Sequence, residues 1–262
     1  LSPADVLKYV AAYITWLKSV SDKKKLHLIL GRDARLSGEM VRDIVTGTIT
    51  GLGVNVTDIG FATTPTVEME VIHKKADGGI IITASHNPKQ WNALKLLNNK
   101  GEFLSSDDGE KVLSIAEKGD FVFAEVDQLG SLKFDSMALN RHIKKILAIP
   151  LVDVKAIKSA GLKVAIDCVN SVGGIAVPEL LDALGVRNIE KIYCEPTGIF
   201  GHNPEPLPEN LADIAKLVQK TKSDVGFVVD PDVDRLAIIC EDGEMFGEEY
   251  TLVAVADYIL KN

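Results

Sequence analysis

Gly79-Ile80-Ile81-Ile82-Thr83-Ala84-Ser85-His86-Asn87-Pro88 reads as a short buried strand that ends in a polar turn. Consecutive β-branched residues favour the extended chain, and a run this short is too brief for a helix. Pro88 stops regular continuation, so Ser85 falls at the tip of the strand and faces outward. A fold presents a nucleophile at such a point, although an ordinary strand-to-helix turn has the same pattern.

Working outward, strands and helices alternate. Ser2 and Pro3 open a helix with Val6, Leu7, Val10, Ile14 and Leu17 on one face. Leu26 to Leu30 is a strand, and Ser37 caps a second helix that ends at Gly51 and Gly53. Residues 54–59 form a strand and Thr64-Pro65 starts a helix. This alternation predicts a layered α/β domain with a largely parallel sheet. Residues 117–135 are polar and irregular, Met137 to Ile149 form a helix, and Pro150 marks a domain boundary. A second cycle follows: a strand over 162–166, a helix through Pro178, a strand over 189–193, and a Pro-rich loop over 195–208. A helix from Asn210 and the strand Val225 to Val229 complete it. Leu236 to Cys240 and Met245-Phe246 look like a hairpin around Asp242-Gly243. A last helix spans 248–260.

The 262 residues are 46% apolar and 25% charged, as in soluble globular proteins. A net charge of 29 − 37 = −8 argues against a nucleic-acid groove or partner. Cys168, Cys194 and Cys240 are odd in number and widely spaced, which predicts buried, reduced thiols. No apolar run reaches the roughly 18 residues of a membrane span and no signal peptide is evident, so a cytoplasmic protein is expected.

The strand Val225 to Val229 delivers Asp230-Pro231-Asp232-Val233-Asp234-Arg235. Carboxylates at alternate positions in a tight loop converge and repel, and a hard divalent cation resolves that repulsion; Mg²⁺ suits a site that also binds phosphate. A solvated acidic loop has the same spelling. An EF-hand is excluded, because Arg235 stands where that loop needs glycine. A guanidinium beside a metal favours a phosphate, which it grips with two bonds. Ala84-Ser85-His86-Asn87 does not match the Gly-x-Ser-x-Gly turn of serine hydrolases. With the aspartate loop, a phosphorylated Ser85 completing a metal site is the better reading. Lys95, within the apolar run Ala93 to Leu97, is placed to exchange a proton with a hydroxyl if burial lowers its pKa.

Thr83 to Pro88, Gly31-Arg32-Asp33-Ala34-Arg35-Leu36-Ser37-Gly38 and Asp230 to Arg235 together resemble the α-D-phosphohexomutases in order and spacing. Residues 170–184, with their Gly-Gly turn, resemble that family's second domain. The resemblance implies two similar three-layer α/β domains with mixed, mostly parallel sheets: residues 1–150 bearing the phosphoserine and residues 151–247 bearing the metal loop. Residues 248–262 would open a truncated third domain, with domains three and four expected in a full-length protein. It implies a phosphoserine enzyme that interconverts hexose 1- and 6-phosphates through a hexose 1,6-bisphosphate. Asp230, Asp232, Asp234 and a Ser85 phosphate oxygen would hold Mg²⁺. Arg235 would steady the phosphoserine, His86 and Lys95 would contact the sugar, with Lys95 the acid/base, and Asn87 and Arg32 would line the substrate site. Many members carry glycines in the loop that here reads Asp-Pro-Asp-Val-Asp-Arg. A non-catalytic metal- and phosphosugar-binding module is the alternative from another class; a metal-dependent phosphatase leaves the Ser85 loop unexplained. The resemblance does not choose among glucose, mannose and glucosamine.

Overall fold

The computed structural model describes residues 2–261; Leu1 and Asn262, which end the outer predicted domains, lie outside the described residues. The chain divides into two compact units, Leu1–Ala84 with Trp91–Ala138, and Ser85–Gln90 with Leu139–Asn262.

In the first unit the elements run α1 (Pro3–Val20), β1 (His27–Arg32), α2 (Gly38–Gly51), β2 (Asn55–Phe61), α3 (Thr64–Lys74), β3 (Gly78–Ile82), β4 (Leu94–Leu97), α4 (Ser106–Lys118) and β5 (Leu132–Phe134). The sheet order is β4-β3-β1-β2-β5, parallel throughout except for antiparallel β4. Side chains alternate across it as the pleat demands. Leu28, Leu30, Ile80 and Ile82 face one core with α1, α2 and α4 residues, while Ile29 and Ile81 face another with Val67 and Val71 of α3. Helices therefore cover both faces, which is the three-layer arrangement expected.

The second unit repeats the plan. Its elements are α5 (Ala138–Leu147, whose first residue belongs to the first unit), α6 (Val154–Ala160), β6 (Lys163–Asp167), α7 (Gly173–Ala183), β7 (Asn188–Ile192), α8 (Ala212–Thr221), β8 (Val225–Val229), β9 (Leu236–Cys240) and α9 (Glu248–Lys261). The order is β7-β6-β8-β9 with β9 antiparallel. Ala165, Val228 and Ile239 pack with Ile214 and Val218 of α8; Val164, Ile166 and Val229 pack on the other face with Leu181 of α7.

Three local expectations change. Residues 132–134 are not irregular: they form β5, whose three exposed residues pair with Val56, Thr57 and Asp58. Ser37 precedes α2 but makes no side-chain cap bond; its Oγ accepts from Asn92 Nδ2 at 2.9 Å. The two compact units divide between Ala138 and Leu139, at the first residue of α5, and Asn140 and Ile143 line a cleft beside Pro178, Asp182 and Ile189. The three cysteines are free, yet only Cys168 is fully buried. No described helix is long and apolar enough to cross a membrane.

Candidate active site

The aspartate loop begins where β8 stops. Asp230 Oδ1 accepts backbone N–H bonds from Asp234 at 3.1 Å and Arg235 at 3.2 Å, so one carboxylate organises the turn that carries its neighbours. Val233 takes φ = 61°, a left-handed conformation that a β-branched residue rarely adopts. That conformation gives a physical reason for glycine in loops of this type. The turn is held from behind by Ser171 Oγ, which donates to the Pro231 carbonyl at 2.7 Å.

Asp230, Asp232 and Asp234 each offer one oxygen, all within 4.8 Å of one another. Asp230 and Asp232 are fully buried and Asp234 is exposed. Burial, then the charges of Asp232 and Asp234, pushes the Asp230 carboxyl up to about 8, against the hydrogen bond from Ser85. A buried carboxyl whose ionisation is disfavoured by burial and by two neighbouring carboxylates, all hard oxygen donors, suits a small divalent cation.

Ser85 itself has φ = 48°, and a non-glycine residue held there marks a position determined by its surroundings. Its Oγ donates to Asp230 Oδ2 at 2.9 Å and lies 3.3 Å from His86 Nδ1. Glu205 Oε1 lies 3.9 Å from both His86 Nε2 and Arg235 Nη1. Asn87 is exposed on the same Ser85–Gln90 segment. The second unit thus gathers Ser85, His86, the three aspartates and Arg235. Glu205 was not singled out by sequence; the only local signal was its place between Pro204 and Pro206, which speaks of stiffness rather than of a partner.

Lys95 and Arg32 belong to the first unit. Lys95 is on β4 opposite Ile81, its Nζ 5.6 Å from the centre of the Phe103 ring. Arg32 ends β1 half-buried, its guanidinium 4.3 Å from the centre of the Phe61 ring and donating to the Asp33 carbonyl at 3.3 Å. Burial lowers its pKa, so its charge is held against some desolvation cost. Next to it lies a buried network that sequence did not resolve. Asp33 Oδ2 accepts from Arg35 Nε at 3.0 Å and Thr83 Oγ1 at 2.7 Å, and Arg35 Nη1 donates to the Trp91 carbonyl at 2.9 Å. Thr83 and Trp91 bracket the segment that bears Ser85, so one ion pair ties both of its ends.

Residues 1–123 match the family model "Phosphoglucomutase/phosphomannomutase, alpha/beta/alpha domain I", and residues 140–243 match its domain II. The chain belongs to the α-D-phosphohexomutase family. A Thermococcus kodakarensis protein named "Phosphoglucomutase/phosphomannomutase" is 34% identical over 262 residues, covering 100% of this chain and 56% of that protein. One from Methanopyrus kandleri, named "Probable phosphoglucosamine mutase", is 34% identical over 233 residues, 88% of this chain and 50% of that protein. The chain therefore spans about half the length of these curated relatives. A crystal structure of a phosphoglucomutase/phosphomannomutase family protein from Burkholderia thailandensis superposes with a TM-score of 0.85 at 24% identity, covering 100% of this chain and 56% of that one. At that identity it supports the fold. The different names of the two relatives match the openness of the sugar in the sequence motifs.

Proposed function

We propose that this phosphohexomutase chain carries the phosphoryl-donor and metal half of a cytoplasmic, Mg²⁺-dependent enzyme that interconverts hexose 1- and 6-phosphates. In this reading phosphorylated Ser85 gives its phosphoryl group to a phosphohexose, a hexose 1,6-bisphosphate forms and turns over, and the other phosphate returns to Ser85. Domains three and four of a longer protein would complete the sugar site. The observation that carries the reading is the bond from Ser85 Oγ to Asp230, one member of a cluster of buried and neighbouring carboxylates.

The donor set fits a magnesium ion, held by Asp230, Asp232, Asp234 and a Ser85 oxygen; when bound it would neutralise phosphate charge and draw electron density from the transferring group. The chain's own groups do the rest. Asp230 accepts the Ser85 hydrogen bond and orients the hydroxyl oxygen. Arg235 supplies a fixed positive charge where the phosphoryl oxygens develop charge, and His86 and Asn87 lie on the same segment as the serine. Lys95 is assigned the proton exchange with the sugar hydroxyl and Arg32 a contact to substrate.

Intact mass spectrometry tests the reading: a species heavier by one phosphate should map to Ser85 and vanish in Ser85→Ala. Labelling that survives the substitution refutes the assignment. Mg²⁺ binding with neither phosphorylation nor mutase activity in the full-length protein would favour a non-catalytic binding module. Assay on glucose, mannose and glucosamine phosphates identifies the substrate.

A further inference from the structure

Glu205 stands between the side chains of His86, the residue after Ser85, and Arg235 of the aspartate loop. Its Oε1 is 3.9 Å from His86 Nε2 and 3.9 Å from Arg235 Nη1, while the other face of the imidazole, Nδ1, is 3.3 Å from Ser85 Oγ. The side chains of His86, Glu205 and Arg235 are 29%, 35% and 38% exposed, so each remains able to change partner.

The backbone presenting this carboxylate is stiff. Pro204 and Pro206 flank it, fixing two φ angles and confining the residues before them to extended conformations. The Glu205 carbonyl accepts from Leu207 N and from Asn210 Nδ2, both at 2.8 Å. Three residues earlier, His202 Nε2 lies 3.0 Å from the buried Asp167 at the end of β6. Burial opposes protonation of His202, but the hydrogen bond and charge of Asp167 raise its pKa overall. The stiff loop fixes where the Glu205 backbone stands and leaves its side chain free to turn between partners.

Unlike the three aspartates, whose charge a bound cation would offset, a further carboxylate in this neighbourhood only repels a phosphate dianion on Ser85. We infer that Glu205 is a positioning residue, the anion that holds Arg235 and His86 beside unmodified Ser85 and yields them to the phosphoryl group once it arrives. The inference rests on the phosphoserine reading above. In the transfer, a bond forms between Ser85 Oγ and phosphorus and the bond from phosphorus to the sugar oxygen breaks. The serine proton ends on the released sugar hydroxyl. The negative charge gained at Ser85 takes over the Arg235 guanidinium and the His86 ring N–H, and Glu205 is left to water.

Removing the charge of Glu205 removes a competitor for Arg235 and the His86 ring, so phosphorylation becomes more favourable, the opposite of what general damage to the site would do. The full-length protein is equilibrated with a fixed ratio of hexose 1,6-bisphosphate to monophosphate, and the modified fraction is read by intact mass. Glu205→Gln raises the ratio of phosphorylated to unmodified protein about threefold to fivefold, the scale of one partly exposed ion pair. Glu205→Ala gives the same rise by a second route, and Glu205→Asp stays within about twofold of the parent. A ratio that is unchanged or lower in both Gln and Ala variants overturns the inference, as does an Asp variant that behaves like Gln. A parent protein that takes no phosphate at Ser85 overturns the phosphoserine reading instead, so the two failures are distinguishable.

Discussion

Ser85 Oγ donates a 2.9 Å hydrogen bond to Asp230 Oδ2 across 145 positions of sequence. Both ends of this contact sit on constrained backbone: Ser85 has φ = 48°, and Val233, three residues beyond Asp230, has φ = 61°. Each left-handed residue costs on the order of 1–2 kcal/mol. That cost is offset by the bonds Asp230 accepts from Asp234, Arg235 and Ser85, which fix the serine oxygen against the acidic cluster.

The raised Asp230 pKa makes stability depend on pH and on metal. Without metal, the folded carboxyl keeps its proton until about pH 8, whereas an ordinary one loses it near 3.8. The folded chain then binds more protons than the unfolded chain, so stability falls as pH rises through that window. Chelated protein therefore melts lower at pH 8 than at pH 5.5. Mg²⁺ at about 100 times its Kd adds about 2.7 kcal/mol, or about 5–10 °C in Tm. The gain grows with pH, because less proton has to be displaced. Melts with EDTA and with Mg²⁺ at both pH values check this. A shift independent of pH, or one retained in full by Asp230→Asn, would sink it.

What was legible in the sequence follows from how local each signal is. Gly78–Ile82 and Val225–Val229 are β-branched runs with polar ends, and they are β3 and β8. The alternate aspartates announce themselves within a few residues. Leu132–Phe134 does not: three exposed residues carry no periodicity, and their strand exists because β2 offers a free edge. Ser37 looked like a cap because that is the local use of serine, but its hydroxyl is engaged by Asn92, 55 residues away. Glu205 was invisible for the same reason, since its value lies in neighbours that are near only after folding. Asp33 and Arg35 were visible as part of a family motif, while their buried bonds to Thr83 and Trp91 were not.

Two glycines should respond in opposite directions to alanine. A Cβ on Gly174 would overlap the Cys194 carbonyl, which is backbone and cannot swing away. Gly174→Ala should cost about 2–3 kcal/mol in chemical denaturation. Gly47 is exposed inside α2, and a Cβ there meets nothing within 4 Å. Gly47→Ala should stabilise by about 0.5–1 kcal/mol through reduced freedom of the unfolded chain. Equal effects of the two substitutions would contradict the packing described at the start of α7.

The Asp33–Arg35 pair should matter to both stability and turnover. Both side chains are 0% exposed, and losing one partner leaves a charge buried without its counter-ion. Arg35→Met should cost about 3–5 kcal/mol. Arg35→Lys keeps the charge but not the planar fork that reaches both Asp33 Oδ2 and the Trp91 carbonyl, so it recovers only part of that loss. Because the pair ties Thr83 and Trp91, the two ends of the Ser85 segment, the Lys variant should also load phosphate on Ser85 more slowly while remaining folded at 25 °C. A double-mutant cycle of Arg35→Lys with Thr83→Val, both acting through Asp33, should show coupling of about 0.5–3 kcal/mol. Additive losses, with phosphate loading unchanged in Arg35→Lys, would mean the network serves the core of the first unit alone.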